Sequence, residues 1–227
     1  MFRIRLITPA ELAAVQRLRA EVHGAERLED PSRFTADGRY VDSNDAWSFN
    51  IGAFATADDR LAGCAKVTPR SAERPLKLEA DVPAATLGID PGEPCVEWAR
   101  LVVLPAYRAL GVMLGLYRVA YWITLEGGYE SIYAIQREAP LRTQERLGLP
   151  VVRLSGRLLA QNGVLVTPTC TPVAEIMPAL RRENPALAYF FSRPPADGGF
   201  EPRDLLGPPA EDLKAFMAGP APMAASR

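Results

Sequence analysis

Glu97 and Arg100 stand three residues apart in the apolar run Cys95-Val96-Glu97-Trp98-Ala99-Arg100-Leu101-Val102-Val103. The run reads as a strand carrying one acid and one base. Pro105 marks a turn after it, and from about Leu110 an apolar helix begins. A strand–turn–helix junction of this kind leaves the first N–H groups of the helix unpaired and its positive dipole end exposed. Arg108 adds a guanidinium at the same turn. Together these suit a phosphate, while the strand beside them aims a carboxylate at whatever the phosphate-bearing molecule carries. The combination points to an enzyme that grips a pantetheine-type thioester and moves its acyl group.

The elements around this junction follow from pattern. Phe2 to Leu6 alternates as a short strand. Thr8-Pro9-Ala10-Glu11 is a capping box with proline at the first helical position. Leu12, Val15, Leu18 and Val22 then put an apolar stripe on a helix expected to end near Glu21. A polar stretch from Gly24 to Ala46 follows, of the length that serves as a binding loop or lid. Ser48–Ala55 and Leu61–Thr68 read as a β-hairpin. The proline- and charge-rich segment Arg70–Pro94 is expected to wrap the surface.

After the long helix, stopped by Gly127-Gly128 near Glu126, come a strand at Ser131–Ile135 and a helix at Ala139–Leu147. A strand at Val151–Ser155 and a last one at Val164–Thr167 follow, then a helix at Ala174–Arg182. This order predicts a single α/β domain over residues 1–193, with a mixed central sheet flanked by helices. The strands either side of the long helix should be parallel neighbours. Residues 194–227, rich in proline and glycine, read as a loosely held tail with one amphipathic turn at Asp212–Met217.

The 227 residues carry 26 Lys+Arg against 27 Asp+Glu, so net charge argues for neither nucleic acid nor membrane as partner. Arg100 to Arg157 is locally basic, with eight arginines against four glutamates. That suits an anionic ligand or an acidic carrier protein, or simply solvated helix surfaces. Cys64, Cys95 and Cys170 show neither zinc nor disulfide spacing, and no metal site is expected. His23 is the sole histidine, at the end of the first helix, where a surface or capping role is expected. Without a signal-peptide core or an uninterrupted apolar span, cytoplasm is the default compartment.

The element order and the turn resemble the GNAT acyltransferase superfamily. Its phosphate loop, Arg/Gln-x-x-Gly-x-Gly/Ala, is similar to Arg108-Ala109-Leu110-Gly111-Val112-Met113, with Met113 departing at the last position. Glu145-Arg146-Leu147-Gly148-Leu149 looks like the superfamily's closing Glu-Lys-Leu-Gly-Phe, but the tyrosine that usually precedes it is Gln144. A narrower resemblance is to autoinducer (acyl-homoserine lactone) synthases and N-acyl amino acid synthases. Glu97-Trp98-Ala99-Arg100 resembles their Glu-x-x-Arg strand, and Asp42-Ser43-Asn44-Asp45 their acidic loop. Gly63-Cys64-Ala65-Lys66 is similar to their Gly-x-x-Arg. These motifs fall in the family's order between Arg19 and Leu149. The lactone synthases carry a tryptophan soon after the first helix, and this chain has none between Arg19 and Trp47. That departure favours the N-acyl amino acid type.

The resemblance implies roles. The acyl donor is an acyl-carrier-protein or coenzyme A thioester used as cosubstrate, with no permanently bound cofactor, and the acceptor is a small amine. An α-amino group of pKa about 7.7–8.0 is already roughly a tenth neutral at pH 7, so a modest base suffices. Glu97, directly or through a water, is the candidate; its alternative is an ion pair with Arg100, which needs a bulge to bring both to one side. A backbone N–H between Leu101 and Val103 would meet the developing oxyanion. Arg108 with the N–H groups of Ala109, Gly111 and Val112 would hold the phosphate, or Arg108 is a surface arginine. Asp42, Asp45 and Trp98 are the substrate-side candidates, with Asp42 and Asp45 either binding the acceptor's ammonium or ordering their loop. Met113, Leu116, Tyr117, Trp122 and the Tyr189–Phe191 patch are tunnel walls or ordinary core. The other readings are a short-chain acetyltransferase using acetyl-CoA and a non-catalytic acyl-ligand sensor.

Overall fold

A computed structural model describes residues 1–29, 31–160, 163–195 and 210–218. The chain divides into two compact units and passes between them at residues 69/70, 97/98 and 120/121. The first holds Met1–Pro69 and Trp98–Ala120; the second holds Arg70–Glu97, Tyr121–Pro194 and, among the described residues of the tail, 210–218.

The first unit opens with strand β1 (Phe2–Leu6) and helix α1 (Leu12–Ala25). The capping box forms as the sequence predicts: the Glu11 carboxylate accepts the Thr8 N–H at 2.7 Å. Arg5 also donates to Glu11, and this pairing holds the Glu11 carboxyl down at about 2. Helix α1 runs four residues past its expected end because its last turn stays packed. Val15, Leu18 and Val22 form a core with Cys64, Val102 and Leu104.

Strands β2 (Phe49–Ala55) and β3 (Leu61–Pro69) make the expected antiparallel hairpin, with a bulge between Ala53 and Phe54. β1 pairs with β2, also antiparallel. The hydrogen-bonded order is β1-β2-β3-β4, where β4 is Cys95–Val103. Gly63 permits close approach at this edge: a Cβ there would stand 2.9 Å from the Val102 carbonyl oxygen.

The second unit corrects the reading of residues 70–94. Instead of wrapping the surface, the segment folds into helices α2 (Leu78–Asp81) and α3 (Ala84–Leu87). Its Leu76, Leu78, Val82 and Leu87 are buried in a cluster with Cys95 and Tyr133. Burying four large aliphatic side chains outweighs the turn character that the prolines suggest.

Helix α4 (Val112–Glu126) follows β4, and strand β5 (Ser131–Gln136) lies parallel to β4, as the crossover argument requires. Helix α5 (Glu138–Arg146) and strands β6 (Val152–Arg153), β7 (Leu158–Leu159) and β8 (Leu165–Pro172) come next. The order is β4-β5-β8-β6, with β7 on β8 and all the pairs made by β8 antiparallel. β8 is twice its expected length and β7 was not expected. The strand continues through Pro168 because a proline lacks only the donor; its carbonyl still accepts the Leu154 N–H at 3.0 Å.

Helices α6 (Val173–Glu183), α7 (Pro185–Ser192) and α8 (Ala210–Ala218) complete the unit. The Tyr189–Phe191 patch lies in α7 and docks on α4: Trp122 Nε1 donates to the Phe191 carbonyl at 2.9 Å. The expected turn at 212–217 is α8, with Phe216 edge-on to Tyr189. The rest of the tail, residues 196–209 and 219–227, lies outside the described residues. Eight strands and flanking helices make this a mixed α/β fold.

Candidate functional site

Arg100 adopts φ 55°, the left-handed region, inside β4. For a residue with a Cβ this costs about 1–2 kcal/mol, and it breaks the strand's two-residue alternation. Burial along β4 accordingly passes through four consecutive half-buried positions, Trp98 to Leu101.

The Arg100 side chain is clamped. Its Nε donates to Asp42 Oδ2 at 2.6 Å and its Nη2 to Asp42 Oδ1 at 3.0 Å. Nη1 reaches Glu29 Oε1 at 3.3 Å, and the guanidinium lies 4.8 Å from the Tyr40 ring centroid. Burial opposes its charge, but Asp42 more than offsets this and raises its pKa. Tyr40 is itself buried and donates to Glu29 at 2.7 Å.

Asp42 is shared. Lys66 Nζ, 1% exposed, donates to Asp42 Oδ2 at 2.7 Å, to Asn44, and to Asp45 Oδ1 at 3.3 Å. Asp45 also accepts from Arg19 at 2.7 Å, from Gln16 at 3.0 Å and from the Asp42 N–H at 3.1 Å. Arg19 continues to Asn50 Oδ1 at 2.7 Å. Three cations (Arg19, Lys66, Arg100) therefore meet three carboxylates (Glu29, Asp42, Asp45) in one buried cluster of the first unit. Burial, reinforced by Arg19, pulls the Lys66 ammonium below its usual range despite both aspartates. Burial pushes Asp45 up, but Arg19 and Lys66 win and lower it.

His23 borders this cluster and corrects the surface expectation. It is 8% exposed, its ring centroid stands 5.4 Å from that of Tyr40, and neither nitrogen has a hydrogen-bond partner. Burial first, then the positive charge of Arg100, pushes its pKa down to about 4. It is neutral at pH 7.

The turn after β4 is a 3-10 helix, Pro105–Leu110, which includes Ala109 and closes on Gly111 at φ 75° before α4 starts at Val112. Only glycine takes that conformation without penalty. Arg108 Nε donates to the Val103 carbonyl at 3.0 Å, and Nη2 pairs with Glu26. Half its side-chain surface remains exposed. Trp98 stacks on Tyr117 at 5.8 Å. In the second unit, Glu97 is 3% exposed and its Oε2 accepts the Leu78 N–H at 3.3 Å.

Of the predicted residues, the structure joins Arg100, Asp42 and Asp45 in one cluster and places Arg108, Ala109, Gly111 and Val112 on one turn. Asp42 and Asp45 give their oxygens to the chain's own cations, which supports their loop-ordering role. Glu29, Tyr40, Arg19, Gln16 and Asn50 were missed by sequence reasoning. One signal was available: Gln16, Arg19 and His23 form a polar stripe at helical spacing beside the apolar stripe of α1. Among the described residues no group of three or more His, Cys, Asp or Glu could hold a metal, and no helix is long and apolar enough to cross a membrane.

Neither a protein-family model nor a curated protein matches the chain. Solved structures do. BjaI, a CoA-dependent acyl-homoserine lactone synthase solved with SAM and isopentyl-CoA, has TM-score 0.67 and 20% identity, covering 95% of this chain and 98% of its own. FeeM, an N-acyl amino acid synthase from uncultured soil microbes, has TM-score 0.64 and 13% identity over 79% of this chain and 94% of its own. The AHL synthase LasI has TM-score 0.62 and 15% identity, with 76% and 90% covered. The fold of this chain is therefore similar to the one these synthases share, in agreement with the resemblance its motifs carry.

Proposed function

We propose that the protein is an N-acyltransferase, moving a fatty acyl group from a carrier-protein or coenzyme A thioester to the amine of an amino acid or related small molecule. The observation that carries this reading is the left-handed Arg100 clamped by Asp42 in β4, the strand that also bears Glu97. A strained residue held in place by a buried ion pair is a common mark of a functional site.

In this reading Glu97 accepts the proton of the attacking ammonium, directly or through water. The free amine attacks the thioester carbonyl, and a backbone N–H at Leu101 or Val103 stabilises the oxyanion. The C–S bond breaks, the leaving thiolate takes the proton that the attacking nitrogen still has to lose, and amide and thiol leave. Arg100 is the second catalytic candidate; Asp42 and Glu29 fix its position, Asp45 holds the Asp42 N–H, and Trp98 lines the substrate side. Arg108 exchanges Glu26 for the pantetheine phosphate, which also meets the N–H groups of Ala109, Gly111 and Val112 at the start of α4.

Likeness to BjaI brings coenzyme A thioesters in as donors beside carrier-protein thioesters. Thiol release is to be followed with acetyl-CoA, long-chain acyl-CoA and long-chain acyl-carrier protein, each with a mixture of amino acids. Release with a long-chain donor, amide detected by mass spectrometry, and loss of both in Glu97→Gln support the proposal. Turnover of acetyl-CoA alone replaces it with a short-chain acetyltransferase. Tight acyl-ligand binding without turnover, unchanged by Glu97→Gln, replaces it with a sensor.

A further inference from the structure

In the second unit, the start of α5, strand β6 and the turn after it, and strand β8 enclose a cavity of about 320 Å³. Arg142, Arg153 and Arg157 line it against one carboxylate, Glu138, with the hydroxyl residues Ser155 and Thr167. None of these residues has a part in the proposed acyl-transfer chemistry; the arginines belong to the basic run Arg100–Arg157.

The charges are unequally satisfied. Glu138 is shared between Arg142 at 2.8 Å and Arg153 at 3.2 Å, and these two arginines lower its pKa to about 2. Arg153 also reaches Glu145 at 2.9 Å. Arg157 is exposed and has no ion pair among the described residues. Thr167 is 1% exposed, and its hydroxyl oxygen is buried with no hydrogen-bond partner. A buried polar atom without a partner costs free energy and calls for one. Beyond the pairs that Arg142 and Arg153 make with Glu138 and Glu145, the unpaired charge of Arg157 is left over at the cavity. The N-terminus of α5, whose N-cap Arg137 makes no side-chain capping bond, adds a positive dipole end.

We propose that this cavity binds a phosphate-class dianion. An anion answers the unpaired charge of Arg157 and adds partners for Arg142 and Arg153. Several oxygens at tetrahedral spacing serve guanidinium forks arriving from α5, β6 and the following turn, as planar bidentate donors require. A carboxylate offers only two oxygens, both in one plane. The dianion has two sources: free inorganic phosphate, or the terminal phosphate ester of a nucleotide.

The test is calorimetric titration of the full chain with inorganic phosphate and, separately, with adenosine 3′,5′-bisphosphate, in about 0.15 M chloride to screen unspecific attraction. The expected result is saturable binding of one anion per chain, weakened about tenfold or more by Arg157→Ala and less by Thr167→Val, with Arg157→Lys intermediate. Arg157 is exposed, so its variants should melt with the parent chain. Tighter binding of the bisphosphate, with the same dependence on Arg157, identifies a nucleotide ester as the source; equal or weaker binding identifies free phosphate. Absence of saturation with both anions, or binding indifferent to Arg157→Ala, overturns the proposal. Because no turnover is read, the result is independent of the acyl-transfer assay.

Discussion

Asp42 grips Arg100 with both carboxylate oxygens, at 2.6 and 3.0 Å, where β4 enters the left-handed region. Among the described residues Arg100 is the only non-glycine residue with positive φ inside a strand. The long loop after α1 is therefore tied to the kink in β4 by an ion pair that sequence separation hides.

Asp42→Asn removes one carboxylate from the buried cluster, whose Glu29 also pairs with Arg33 at 2.9 Å. It leaves Lys66 and Arg100 short of a partner, which in a buried setting costs about 3–5 kcal/mol. Urea unfolding should register a loss of that size. Arg100→Lys keeps the charge but not the two-pronged geometry. Its activity should fall far more than its stability; equal falls in both would mean that Arg100 is structural only.

His23 gives a pH dependence of defined sign. Its folded pKa is about 4, below the ordinary 6.5, so between these values the unfolded chain holds more protons. Stability from this group is present in full above pH 6.5 and is lost as pH falls toward 4, by about 2–3 kcal/mol at pH 4.5. His23→Leu should flatten the stability profile over that window when unfolding is measured at pH 7 and 4.5. A variant profile parallel to the parent's would contradict the burial argument.

Gly63 and Gly111 should fail differently when changed to alanine. At Gly63 the new methyl meets the Val102 carbonyl at 2.9 Å, an overpacking worth about 1–3 kcal/mol, and thermal melting should show it. At Gly111 the obstacle is φ 75°, worth about 1–2 kcal/mol. If α4's first N–H groups hold the donor's phosphate, Gly111→Ala raises KM for the donor as well as lowering Tm, while Gly63→Ala leaves KM alone.

Glu26 competes for Arg108 in the proposed phosphate grip. Glu26→Gln should lower KM for a phosphate-bearing donor, and Arg108→Ala should raise it about tenfold. The pair is solvent-exposed, so neither change should alter stability by more than about 1 kcal/mol. Donor KM that responds to neither variant would remove Arg108 from the site.

Much of the architecture could be read along the chain because it rests on local chemistry. The Thr8–Glu11 box starts a helix whatever lies elsewhere, and the two apolar runs at 49–55 and 61–69 make a hairpin through a five-residue turn. The parallel pairing of β4 and β5 follows from the helix between them. Where reading failed, burial had overruled local preference. The prolines of 70–94 looked like surface but frame four buried aliphatic residues, and the strand expected at Val164–Thr167 runs on through Pro168 to Pro172.

For the site, residue types and order named the acid, base and turn on which the proposal rests: Glu97, Arg100, and the Arg108–Val112 junction. Only the tertiary structure decided what Asp42 and Asp45 touch. Their partners Arg100, Lys66 and Arg19 lie between 21 and 58 residues away, on three different elements. A motif records the type of a side chain, whereas an ion pair requires direction and dryness. Both arise only when α1, the loop after it, β3 and β4 close on one another and exclude the water that would otherwise screen those charges.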